Sequence, residues 1–266
     1  MKKVKKSILL FLIICFALSS IFYYLIIVHG MLQLNYFLMW CPGVAAIIVS
    51  MIYHRGDNGV NFRRCHAKYI LGGILIPLAY WGISYSIYLL IYGKGVIVGN
   101  MALTLIKAPS MLLTYLAIYF VTAMGEEIGW GGYLVPKLNE LFGFNKGAFV
   151  SGVIWFLWHF PLFVVGYMSD IPLWYQLPVL ALMCISVSYS RFYLSMKSKS
   201  TWPAVWLHFV HNFVAQLLLD QSIGGEMRPY LVGEIGIISL IVVVIIALIC
   251  VLKYRNAGSE IVASQK

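Results

Sequence analysis

The chain has 266 residues, of which 62% are hydrophobic and 11% charged, with a formal net charge of +10. Soluble domains carry about 25% charged residues, so the composition excludes an ordinary soluble fold and indicates helices packed within lipid. The five cysteines (Cys15, Cys41, Cys65, Cys184, Cys250) are odd in number and dispersed, which argues for small buried hydrophobes over a disulfide frame or metal cluster.

The N-terminal stretch MKKVKKSILLFLIICFALSSIFYYLIIV has a basic head and then ~21 apolar residues, enough to cross a bilayer. A secretory signal has a shorter core and a small-residue cleavage site, so residues 8–28 read as a retained signal anchor. Further apolar runs follow at 31–53, 69–92, 101–124, 147–166, 173–195, 202–221 and 230–252. The expectation is an all-α, polytopic membrane bundle of about eight transmembrane helices, forming a single domain over 1–266. No strand alternation, low-complexity segment or internal repeat interrupts this pattern.

Basic residues test the count, because cytoplasmic segments hold an excess of Lys and Arg. With the N-terminus inside, the inner segments carry Lys2, Lys3, Lys5, Lys6, Arg55, Arg63, Arg64, Lys68, Lys137, Lys146, Arg191, Lys197, Lys199, Lys253, Arg255 and Lys266. That leaves Lys94, Lys107 and Arg228 outside, out of 19 basic residues. Both termini are therefore expected in the cytoplasm. The positive charge is a topology signal and not a nucleic-acid footprint, and the bilayer is the implied partner.

A few ionisable residues remain at membrane depth, where charge is expensive and marks function. Glu126 and Glu127 end an uncharged stretch, His159 lies in WFLWHFPLF, and His208, His211 and Asn212 lie in WLHFVHNF. They sit on three different helices, yet all fall between the cytoplasmic face and the midplane. His208 and Asn212, four apart, share a helix face. Glu126 and Glu127 differ by ~100° around a helix, so one partner faces both only where the helix is irregular, and Gly125, Gly129, Gly131 and Gly132 permit that. His211 reads as interhelical hydrogen bonding, and Trp130, Trp155, Trp158, Trp202 and Trp206 as packing or interfacial anchors.

Such residues suit activated-water chemistry. A buried carboxylate takes a proton from water, a facing histidine holds that water, and a His–Asn pair supplies two donors to an oxyanion. Glu126, His159 and His208 could equally hold a divalent metal such as zinc with one open position. Both routes lead to hydrolysis of a peptide bond inside the membrane.

The stretches EEIGWGG, WFLWH and HFVHN resemble the three motifs of the CPBP family, the CAAX proteases and bacteriocin-processing proteins also called Abi, written EExxxR, FxxxH and HxxxN. The resemblance covers roughly 110–216. It implies an eight-helix intramembrane endopeptidase cutting a peptide or membrane-protein substrate near the cytoplasmic face. It further implies Glu126 as general base, Glu127 as supporting acid, His159 as water-positioning residue, and His208 with Asn212 as oxyanion donors. The family is labelled metalloprotease, and a metal-free, glutamate-dependent route is also argued for it. The Lys- and Ile-rich composition suits a bacterial plasma-membrane member acting on pheromones, bacteriocin leaders or membrane-protein fragments.

Two positions depart from the pattern. Trp155 replaces the phenylalanine of the second motif, and Gly131 stands where the first motif has arginine. An arginine there would pair with Glu127, and Arg191 and Lys199 are the nearest cytoplasmic cations to substitute. The loss motivates an alternative reading, a catalytically inactive partner or immunity protein that keeps the fold. A transporter would need repeats or paired broken helices, which the sequence lacks.

Overall fold

A computed structural model describes residues 1–53, 60–166 and 171–263, with side chains described as far as residue 255. Arg55 and Lys266, two of the expected inner cations, lie outside the described residues. Among the described residues nine helices carry the architecture: α1 (Lys2–His29), α2 (Cys41–Tyr53), α3 (Ala67–Tyr92), α4 (Met101–Lys107), α5 (Pro109–Glu127), α6 (Val135–Val164), α7 (Leu173–Ser198), α8 (Trp202–Asn212) and α9 (Ile237–Ala263). Shorter helical turns join some of them. Among the described residues the β-structure is one isolated bridge, Ile97 to Ile223.

Among the described residues six helical stretches are long and apolar enough to cross a membrane: Lys2–His29, Leu32–Tyr53, Ala67–Tyr92, Pro109–Val164, Leu173–Ser198 and Ile237–Arg255. The chain is thus a polytopic helical membrane protein. Five of these correspond one to one with expected runs, and the 56-residue stretch Pro109–Val164 holds most of two more. Gly143 breaks that stretch with φ 70° and ψ −178°, a left-handed position suited to glycine. The eighth run is α8 and its continuation, where His208, His211, Asn212 and Gln216 lower the apolar content.

The expected inner segment between α5 and the second half of α6 is helical apart from the break at Gly143. Lys137, expected in a solvated loop, is instead buried, with its ammonium 3.7 Å from the centre of the Tyr133 ring. The helix continues past the charged residues, so position 137 falls on a packed face, where an aromatic ring stabilises the cation.

Lipid-facing and core-facing residues separate as the bilayer requires. On α1, Leu9, Ile13 and Ile21 are exposed, while Phe11, Cys15 and Ser19 are fully buried. Without a hydrophobic force between helices, close packing and small side chains hold the bundle. The main contacts run α6 to α7, α3 to α8, α7 to α9, α1 to α2 and α5 to α8. These pairings set α5, α6, α7 and α8 around one polar interior. All five cysteines are free thiols, four of them buried, matching the expectation from sequence.

Candidate functional site

Glu126 and Glu127 are the last residues of α5, immediately before a π-helical segment at Ile128–Leu134. Asn212 likewise ends α8 before a second π-helical segment, Phe213–Leu219. Wider turns of this kind are rare and cluster at functional sites. Both carboxylates are buried, with 2% and 1% of their surface exposed, so each needs partners inside the bundle.

The two acids meet different partners. Oε2 of Glu126 accepts hydrogen bonds from the Trp130 Nε1–H at 3.0 Å and the Trp155 Nε1–H at 3.1 Å. These two tryptophans were expected as packing residues. The structure corrects that reading: their indoles bury ring area and also present the donors that a buried carboxylate oxygen requires. Trp158, one turn away, donates to Ser19 Oγ at 2.8 Å.

Oε1 of Glu127 accepts from Arg191 Nη1 at 3.1 Å and from His208 Nδ1 at 3.0 Å. Arg191 is itself 1% exposed, donates from Nη2 to Ser188 Oγ at 2.7 Å, and stacks 4.5 Å from the Trp155 ring centre. Of the two cations considered for the missing arginine, Arg191 is the one against Glu127, reaching it from α7. Gly131 completes the exchange. A Cβ there would lie 2.6 Å from Glu127 Oε2 and 3.0 Å from the Ala204 Cβ, so the space a side chain would need is filled by the carboxylate.

His208 sits between the acids. Its Nδ1 is on Glu127, and its Nε2 is 3.9 Å from Glu126 Oε1. A carboxylate only accepts, so Nδ1 carries the hydrogen, and Nε2 carries one as well when the ring is cationic. Adjacent acids on one helix thus share one partner because the imidazole offers a nitrogen to each. The 3.9 Å gap is too long for a direct hydrogen bond and short enough for one water to touch both groups.

His159 Nδ1 bonds its own helix carbonyl at Trp155, 2.9 Å away, which fixes the hydrogen on Nδ1 and leaves Nε2 as an acceptor. His159, His208, Asn212 and Glu126 line one cavity of about 110 Å³, together with His211, Gln216 and Glu234. The volume holds several waters. Asn212, four residues after His208, is buried, and its side-chain amide makes no hydrogen bond among the described residues.

His211 joins α8 to α3 through Tyr80 Oη at 2.6 Å, as an interhelical histidine should, and it also faces the cavity. Glu234 is the cavity residue that the sequence did not single out. It lies in the bend before α9, 3.4 Å from His211 Nε2, and its Oε1 accepts from Gln216 Nε2 at 2.9 Å. An acid in VGEIG, at the edge of an apolar run, was the available signal.

Among the described residues no three His, Cys, Asp or Glu side chains are grouped to hold a metal ion. Glu126, His159 and His208 line the same cavity but are not arranged as a ligand set. Glu126 Oε2 already accepts two indole donors.

Residues 108–214 match the family of type II CAAX prenyl endopeptidases, Rce1-like. Over this stretch the chain is similar to that family. The match runs from the start of α5 into the second π-helical segment, and so contains both acids, His159, His208 and Asn212. A relative from Methanococcus maripaludis named CAAX prenyl protease 2 is 29% identical over 144 residues, covering 52% of this chain and 49% of that protein. The aligned part thus spans about half the length of the relative.

Proposed function

We propose that the chain is an intramembrane endopeptidase in which Glu126 activates the hydrolytic water. The observation carrying this is the 3.9 Å gap between Glu126 Oε1 and His208 Nε2, opening on a cavity that His159 and Asn212 also line. The two indoles hold Oε2 and leave Oε1 as the free base. A water donating to Oε1, with its second hydrogen on a histidine Nε2, presents an oxygen lone pair to a peptide carbonyl.

Attack forms a bond from the water oxygen to the carbonyl carbon, and the C=O π pair moves onto oxygen. Glu126 takes the proton released by the water. His208 acts here in its cationic form, its Nε2 having taken a proton from solvent before the substrate binds. It keeps both protons through the cycle, donating from Nε2 to the oxyanion while Glu127 accepts from its Nδ1, and the second hydrogen of the water is held by His159 Nε2. The Asn212 amide is the second donor, four residues along the same helix face. Collapse breaks the C–N bond, and Glu126 returns the proton to the departing amine.

Supporting this reading are the match over residues 108–214 and the retention of a guanidinium on Glu127, which answers the doubt raised by Gly131. The inactive-partner reading drew on that missing arginine. The substrates proposed are peptides or membrane-protein segments, cut near the cytoplasmic face, with both termini on that side. Cleavage of a fluorogenic membrane peptide by the protein in liposomes tests the assignment. Glu126→Gln keeps the shape of the side chain and removes the base, so it should abolish turnover. Full cleavage by that variant would overturn the reading.

A further inference from the structure

The end of the cavity away from Glu126 is also built from polar groups. Glu234 Oε1 is fixed from two sides, by Gln216 Nε2 at 2.9 Å and by His211 Nε2 at 3.4 Å. Since Glu234 only accepts, His211 carries its hydrogen on Nε2. Its Nδ1 then accepts from the Tyr80 hydroxyl at 2.6 Å, so the ring is satisfied while neutral. Gly233, with φ 89°, turns the chain just ahead of Glu234 in a conformation that favours glycine.

Oε2 of Glu234 has no hydrogen-bond partner among the described residues. Its carboxyl group is 22% exposed, and it lines both the 110 Å³ cavity and a neighbouring one of about 460 Å³. Phe163 is the other residue lining both. No lysine or arginine lines the first cavity among the described residues, and Arg228 in the second is paired with Asp220. A carboxylate held on one oxygen and open on the other, with no lysine or arginine among the described residues of the first cavity and the guanidinium of the second held by Asp220, is a receptor for a positively charged N–H donor.

We infer that Glu234 is a substrate-binding residue that selects peptides carrying a protonated amine next to the bond to be cut. The inference rests on the cavity being the substrate site proposed above. It places a carboxylate-terminated peptide end at a disadvantage here, because Glu126 and Glu234 would both repel it.

Binding separates this inference from the catalytic reading. The full-length Glu126→Gln protein in nanodiscs is titrated with three fluorescent apolar peptides of one sequence. One is N-acetylated with a central lysine, one has a free N-terminal amine with norleucine at that position, and one is N-acetylated with norleucine. The expected result is at least tenfold tighter binding of one or both cationic peptides than of the neutral one. Adding Glu234→Gln should remove that preference while leaving neutral-peptide binding unchanged. Equal affinity for all three peptides, or a preference that survives Glu234→Gln, would overturn it. The lysine and free-amine arms identify which amine is read. Selective binding without turnover in the parent protein would sink the catalytic reading and leave this one standing.

Discussion

On one side of the α5 terminus Glu126 is held by two neutral indole N–H groups; on the other Glu127 is held by the Arg191 guanidinium and an imidazole. The residues are sequence neighbours and equally buried. The difference between them is the charge of what surrounds them. A carboxylate paired with a guanidinium organises its neighbours through charge-assisted hydrogen bonds. One held by neutral dipoles keeps its position while remaining free to take up and return a proton. Adjacent acids thereby serve two purposes, with His208 passing between them.

Substitutions that remove one side should not mimic the other. Glu126→Gln should lower cleavage by about 10²–10⁴-fold, the usual contribution of a positioned general base, with the thermal unfolding midpoint in detergent unchanged. Arg191→Ala should instead strike stability. It strands a buried Glu127 charge at a cost of about 3–5 kcal/mol, and Glu127→Gln in the same chain should recover most of the loss. If Arg191→Ala unfolds at the parent temperature, the guanidinium is not holding Glu127.

Smaller changes sharpen the contrast. Gly131→Ala drives a methyl into the space of Glu127 Oε2 and should cost about 1–3 kcal/mol as overpacking. The penalty should fall when Glu127 is shortened to Asp, as thermal unfolding of the double variant can show. Trp155→Phe removes one of the two donors on Glu126 and leaves a smaller ring beneath Arg191, restoring the phenylalanine of the motif. A lost hydrogen bond to a charged group is worth about 1.5–3 kcal/mol. With Trp130 still in place the lower end applies, and kcat should fall roughly tenfold with KM little altered. An unchanged kcat would show that Trp130 alone orients Glu126.

Most of the helical framework was legible because apolar runs of membrane-spanning length admit few alternatives to helix. His159, His208 and Asn212 were legible as well, since polar side chains inside such runs are costly and invite explanation. What the chain order concealed was provenance. Arg191 serves a carboxylate 64 positions earlier, and a pattern written as six consecutive residues has no place for a cation delivered from another helix. Glu234 stayed hidden because it sits in a bend outside every motif, and its partners Gln216 and His211 lie on the far side of a turn. The tryptophans were misjudged because composition counts ring area and not the direction of an indole N–H.

The two π-helical segments begin at the residue following Glu127 and the residue following Asn212. Each adds width to the turn, so the helix leaves the segment with its angular phase altered. A helical wheel drawn straight through residues 109–164, or through 202–219, therefore assigns the wrong side to everything downstream. Faces before and after each widened turn answer to different neighbours. The half carrying the acids or the histidines can hold its orientation while the other half is fitted independently to lipid or to the next helix.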